Sequence, residues 1–224
     1  KFERIDFPDS YRKDTEDLIL LDIFEKCPLI KKPMQTILDI GPGCSNLPLK
    51  IISNALKLDQ NLILIDSSEM LDQLTDNKKI TKISSRFPEC TAFIKEYQQK
   101  VDVIVCYSVF QYIFNEGNIF DFLDNALSLL SAGGQMLIGD IPNISKRKRF
   151  LSSKKGKEFH KNYTNSDQDP QLIYNQIEHN SIDDSIIFSI LNRSRNQGFD
   201  AYVLPQKDGL CMSNRREDIL IIRP

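Results

Sequence analysis

Asp39, Gly41, Gly43 and Ser45 alternate in the stretch DIGPGCS, and Asp66 ends the apolar run LILI, 25 residues beyond Gly41. Glycines at 41 and 43 reach backbone angles closed to other residues and leave no side chain between main chain and ligand, while Pro42 fixes its own φ. An acid at the end of the following strand can accept hydrogen bonds from both hydroxyls of a ribose. These residue types at this spacing describe a nucleotide site. The dinucleotide fingerprint GxGxxG asks for glycine or alanine at its sixth place, for close helix packing, and this chain has Asn46 there. That weighs against a nicotinamide-dependent dehydrogenase.

Other groups able to do chemistry are few. His160 and His179 are the two imidazoles, and either type of group can take a proton from a hydroxyl. Seven cations lie between Lys146 and Lys157 with no acid among them; taking seven from the net charge of −2 leaves −9 on the rest of the chain. Gathering like charges has a cost that an anionic ligand relieves, so Arg147 and Arg149 are candidates for contacting an anionic acceptor. The competing reading is a solvated face. The five cysteines (Cys27, Cys44, Cys90, Cys106 and Cys211) are scattered, with no CxxC pair and no histidine nearby, so neither a metal site nor a disulfide framework is expected.

The elements that must position these groups read as alternating strands and helices. Ile37, Leu38 and Ile40 form a short buried-strand run, and from Asn46 the apolar positions fit a helix, giving strand, glycine turn, helix. Further strands are expected at 62–65, 80–84, 101–106, 135–139, 199–204 and 218–222, seven in all. Helices are expected at 14–26, with Leu18, Leu21 and Phe24 at helical spacing, at 118–130 and at 182–195. Gly133 and Gly134 make a turn before the fifth strand. Residues 143–182 lose the pattern and are rich in Lys, Ser and Asn, too long for an ordinary crossover.

The order of these motifs resembles the class I S-adenosylmethionine-dependent methyltransferases over about residues 39–140. DIGPGCS is similar to the family's first motif, with Ser45 where the family usually has a third glycine. IDSSEM looks like its second motif, in which the acid holds the ribose, and LSAGGQMLIGD looks like the turn preceding its fifth strand. The resemblance implies an α/β fold: a Rossmann-like seven-stranded, mostly parallel sheet with an antiparallel last strand and helices on both faces. It implies S-adenosylmethionine as cofactor, with S-adenosylhomocysteine as product. Cofactor contacts would come from Asp39, Gly41, Pro42, Gly43, Ser45, Asp66, Ser67, Met70, Tyr107 and Ser108. Ser84 and Arg86 would stand in for an adenine-contact aspartate that this chain lacks. Tyr11 and Arg12 in the leading segment, with Tyr112 and Asp140, would contact the acceptor alongside Arg147 and Arg149. Residues 143–182 would be a lid within one domain spanning 1–224. Tyr107, His160 and His179 are the candidates for catalysis. The motif that amine methyltransferases carry after the fourth strand is absent from CYSVFQYI, which favours transfer to oxygen on a small polar acceptor, in one form phosphorylated or sugar-like. The alternatives are an RNA or protein methyltransferase and a non-catalytic binding module.

Composition sets the outer limits. At 224 residues, 41% hydrophobic and 27% charged, the chain can bury one sizeable core. A net charge of −2 provides no global basic field for nucleic acid or an anionic membrane. No apolar run approaches the roughly 20 residues that span a bilayer. A reducing cytoplasm is the expected compartment, and the oligomeric state is left open.

Overall fold

The computed structural model describes residues 15–224; Tyr11 and Arg12 lie outside the described residues. Helix α1 (Glu16–Lys26) and a short 3-10 turn lead into β1 (Thr36–Ile40), α2 (Asn46–Lys57), β2 (Asn61–Asp66), α3 (Ser68–Leu71), β3 (Ile80–Ser84) and α4 (Thr91–Glu96). There follow β4 (Val101–Tyr107), α5 (Phe110–Glu116), α6 (Ile119–Leu129), β5 (Leu130–Pro142), α7 (Ile144–Ser152), α8 (Lys154–Thr164), α9 (Asp184–Asn196), β6 (Asp200–Pro205) and β7 (Arg216–Ile222).

The strands form one sheet in the order β3-β2-β1-β4-β5-β7-β6. The first five are parallel, and β7 runs antiparallel to both β5 and β6. Alternate residues of each central strand feed opposite faces, so near-continuous apolar runs are needed, as expected of a sheet covered on both sides. Leu38, Ile63, Ile104 and Ile138 pack with α4, α5, α6 and α9 through Phe93, Phe110, Phe122 and Ile190. Ile37, Leu64, Val103 and Leu137 pack on the other side with α1 and α2 through Ile23, Ile51 and Ala55. The seven-stranded α/β architecture expected from sequence is the one observed.

Three local readings change. The buried stripe of α1 is Glu16, Ile19, Asp22 and Ile23, while Leu21 is exposed. Two acids occupy core positions there because each has a partner: Asp22 binds Lys26, and Glu16 accepts from the amide of Asn46 at the start of α2. The glycine pair before the fifth strand is a bulge within β5, where pairing with β4 jumps from Val101↔Leu130 to Val103↔Gln135. Finally, the polar segment after β5 opens with two helices. Asn143 caps α7 through the amides of Ser145 and Lys146, and Ser153 caps α8 through Gly156. Residues 165–183 then carry neither helix nor strand.

Candidate functional site

In this sheet β1 and β4 are neighbours, while the chain runs outward from β1 to β2 and from β4 to β5. The connections leaving their carboxyl ends therefore run apart and leave a crevice, the usual ligand position in open α/β sheets. The turn after β1 lies there. Gly41 and Gly43 have φ of 70° and 66°, a region costly for side-chain-bearing residues. A Cβ on Gly41 would stand 2.6 Å from Cγ2 of Val109, so the turn and the chain after β4 close on each other. Around the Cβ position of Gly43 nothing lies within 4 Å. Pro42 is half-buried between them, and Ser45 is the residue before α2, without a side-chain cap bond.

Asp66, ending β2, orders this turn. One carboxylate oxygen accepts from the Gly43 amide at 2.8 Å, and the other accepts from the Ser67 amide at 2.7 Å. Two carboxylate oxygens offer about four lone-pair positions, so acceptor capacity remains toward the crevice. Asp39, beneath the turn, is buried. Burial, followed by the negative charge of Asp66, pushes its carboxyl up to about 7.

A cleft of about 450 Å³ opens beside the turn. Its floor is Ile40, Gly41, Ile65 and Asp66, and one wall is Ser67, Ser68, Glu69 and the strand end Ser84. The facing wall is Val109, Tyr112, Ile113 and Glu116, closed by Ser85, Arg86 and Phe87. Of the residues expected to hold cofactor, Gly41, Asp66, Ser67, Ser84 and Arg86 come together here, joined by Tyr112 from the acceptor group. Met70 follows on α3 but does not line the cleft. Arg86 sits 3.4 Å from Glu116. Sequence reading missed Glu69, Glu116 and Val109; the helix α5 that carries Glu116 mixes Phe110, Ile113 and Phe114 with Gln111 and Asn115 and has no clean apolar period.

Ser108 and Asp140 lie at the neighbouring strand ends, both with positive φ (62° and 61°). The Ser108 hydroxyl donates to Oδ2 of Asp140, which also accepts from Arg216 at 2.7 Å, and Gln206 donates to Oδ1 at 3.1 Å. The network continues inward: Asp218 accepts from the Asp140 amide at 2.8 Å and from Lys26 at 2.6 Å. Burial holds the Asp218 carboxyl above the usual range, against the pull of Lys26. Tyr107 is buried in the core, its ring filling the space where a Cβ on Gly139 would be.

Neither histidine lines the cleft. His160 is on α8 and His179 is exposed in the segment before α9. Arg149 is held by both oxygens of Asp184, whereas Arg147 lines a second cavity described below. Among the described residues no group of three or more His, Cys, Asp or Glu is arranged to hold a metal ion, and no described helix is long and apolar enough to cross a membrane.

No protein-family model matches the sequence, and no curated protein sequence does. Solved structures do. The plantazolicin methyltransferase BpumL, in complex with a monoazolic desmethylPZN analog and SAH, aligns with a TM-score of 0.61 at 19% identity, over 99% of this chain and 89% of that one. The fold is that of the class I methyltransferases. The N-methyltransferase NodS from Bradyrhizobium japonicum WM9 aligns at 0.54 and 12% identity, over 96% and 97% of the two chains. The carbon methyltransferase CurJ aligns at 0.54 and 14%, over 91% of this chain and 52% of that one. N- and C-methyltransferases thus share this fold.

Proposed function

We propose that the chain is an S-adenosylmethionine-dependent methyltransferase acting on a small polar acceptor, with transfer to oxygen. The observation that carries the proposal is the Asp66 carboxylate gripping the glycine turn at the floor of an open cleft. The fit to the cofactor is good in three respects. Space is open around Gly43, Asp66 keeps acceptor capacity for ribose hydroxyls, and the cleft beyond has apolar walls at Ile65, Val109 and Ile113 for a purine. S-adenosylmethionine supplies a methyl group already activated on a sulfonium. Asp66 would hold the ribose, Ser67 and Tyr112 would flank the base, and Ser84 and Arg86 would face its edge. Asp66 places negative charge near a cofactor that carries positive charge.

The acceptor side begins at Ser108 and Asp140. Their hydrogen bond fixes both strand ends, and Arg216 fixes Asp140 in turn, so an acceptor docked there meets a wall that does not reorganise. Holding two reactants in line can lower a barrier by about 7 kcal/mol or more. With neither imidazole lining the cleft, alignment is the main contribution these residues make, and as the O–CH3 bond forms and the S–CH3 bond breaks a hydroxyl acceptor would release its proton to solvent. Residues 143–182, with α7 and α8, would form a cover over the acceptor within the same domain. The five cysteines are free thiols, which suits a reducing cytoplasm.

Calorimetric titration of S-adenosylhomocysteine tests the assignment. The wild type should bind, and Asp66→Ala should bind more weakly by roughly 1.5–3 kcal/mol for each ribose bond lost. Affinity within twofold of wild type in a folded variant removes Asp66 from the site. Mass-spectrometric screening of metabolites for an added methyl group then identifies the acceptor.

A further inference from the structure

A second cavity, of about 330 Å³, opens on the same edge of the sheet, between the exit of β5, α7 and the entry to β7. Its lining includes three guanidinium-bearing residues, Arg147, Arg215 and Arg216, together with Asn180 and Ser181, and no carboxylate among the described residues. We infer that it is an anion subsite fitted to a phosphate group.

The four cations of α7 separate cleanly. Lys146 donates to the Arg216 carbonyl and lies 3.9 Å from Glu217, Lys148 binds Glu178, and Arg149 is clamped by Asp184. Arg147 alone among them has no carboxylate partner among the described residues, and it is the one that lines the cavity. Like charges on one helical turn repel, so a cation left without a counter-charge beside other guanidiniums costs free energy that a bound anion recovers.

The other groups are held in place. The Arg215 guanidinium lies over the Phe159 ring at 5.0 Å and the Phe150 ring at 6.0 Å, and its Nε donates to Asn214 at 3.1 Å. Arg216 is braced by the carbonyl and carboxylate of Asp140. Guanidinium forks from separate segments, with an amide and a hydroxyl beside them, supply donors from several directions. That suits a tetrahedral oxyanion with three or more oxygens better than a planar carboxylate, which one fork satisfies.

Arg216 ties the cavity to Asp140, and through it to Ser108, so an anion seated here is one side chain away from the proposed acceptor wall. A phosphorylated small molecule would put its phosphate here and its methylated atom toward the cofactor cleft. Assigning the anion to the acceptor rests on the methyltransferase reading; the affinity of the cavity for phosphate does not.

The test uses inorganic phosphate as probe, with thermal shift and calorimetry at low ionic strength, and S-adenosylhomocysteine titrated into the same samples. Phosphate should bind saturably, and acetate at matched ionic strength should not. Arg147→Gln should weaken phosphate by about tenfold, the scale of one charge-assisted bidentate contact. Arg147→Lys, which keeps the charge and loses the fork, should weaken it in part. Arg149→Gln should leave it within twofold. Phosphate binding that is absent, matched by acetate or indifferent to Arg147 overturns the inference. If phosphate binds through Arg147 while S-adenosylhomocysteine fails to bind, the subsite stands and the methyltransferase reading falls; the opposite pattern overturns only the subsite.

Discussion

Replacing Asp39 with asparagine probes the electrostatics beneath the glycine turn. The carboxyl is buried with Asp66 nearby, and its pKa moves from 3.8 to about 7. The folded state therefore holds a proton that the unfolded state has released between those values. Stability is fully present below about 3.8 and is lost as pH rises through about 7, at up to roughly 1.4 kcal/mol per pH unit. Over the whole window this amounts to roughly 4 kcal/mol, and between pH 5 and 8 to roughly 3 kcal/mol. Asparagine cannot ionise. Its amide has its own burial cost, about 1–3 kcal/mol, but that cost does not change with pH. The variant should thus be level with or below the wild type at pH 5 and gain on it by roughly 3 kcal/mol by pH 8. Urea unfolding of both proteins at several pH values, without cofactor, gives the difference directly. Asp218 is shifted in the same direction but is present in both proteins and cancels. A wild-type-to-variant difference that stays flat from pH 5 to 8 would refute the reasoning.

Two further substitutions probe the frame around the site. Gly41→Ala puts a Cβ 2.6 Å from Val109 at a φ of 70°, and should cost about 1–3 kcal/mol in urea unfolding together with much of the S-adenosylhomocysteine affinity. Wild-type affinity in that variant would mean that the turn and the chain after β4 can separate freely. Lys26→Met leaves Asp22 and Asp218 buried without their shared cation and should cost about 3–5 kcal/mol, measured from the urea midpoint. That loss should shrink as pH falls, because Asp218 is already held toward its protonated form.

The strand and turn code was legible because few physical demands compete in it. A parallel strand covered on both faces must be apolar throughout, and it stops where glycine or aspartate appears. The reading of 80–84 as a strand matches β3, and the first two strands differ by a residue or so at their ends. The face of α1 was illegible for the opposite reason. Its core positions include Glu16 and Asp22, whose partners are Asn46, Lys26 and, through Lys26, Asp218, which lies 192 residues from Lys26. An apolar-period search takes such acids for solvent-facing residues and moves the stripe to Leu21. The helices α7 and α8 were hidden because their stability comes from caps and ion pairs, with little apolar burial.

The basic segment shows how far charge counting carries. Seven cations without an acid suggested either a ligand site or a solvated face; four of them, Lys146, Lys148, Arg149 and Lys157, have a carboxylate within 4 Å, and Arg147 lines a cavity. Lys157 and Lys161 share Asp169, while Lys148 reaches Glu178 in the segment that leads back to α9 and Arg149 reaches Asp184 at the start of α9. These pairs tie the two helices to the chain that follows them, and they take three of the seven cations, Lys148, Arg149 and Lys157. Exposed pairs of this kind contribute only about 0–1 kcal/mol each, so these helices are held by several weak links and not by one strong one. Arg147 and Arg149 were equivalent candidates in the sequence. Two positions on a helix project about 200° apart, so Asp184 can take one while the cavity takes the other. That difference belongs to the helix register and to the position of Asp184, and it becomes visible only once both are placed.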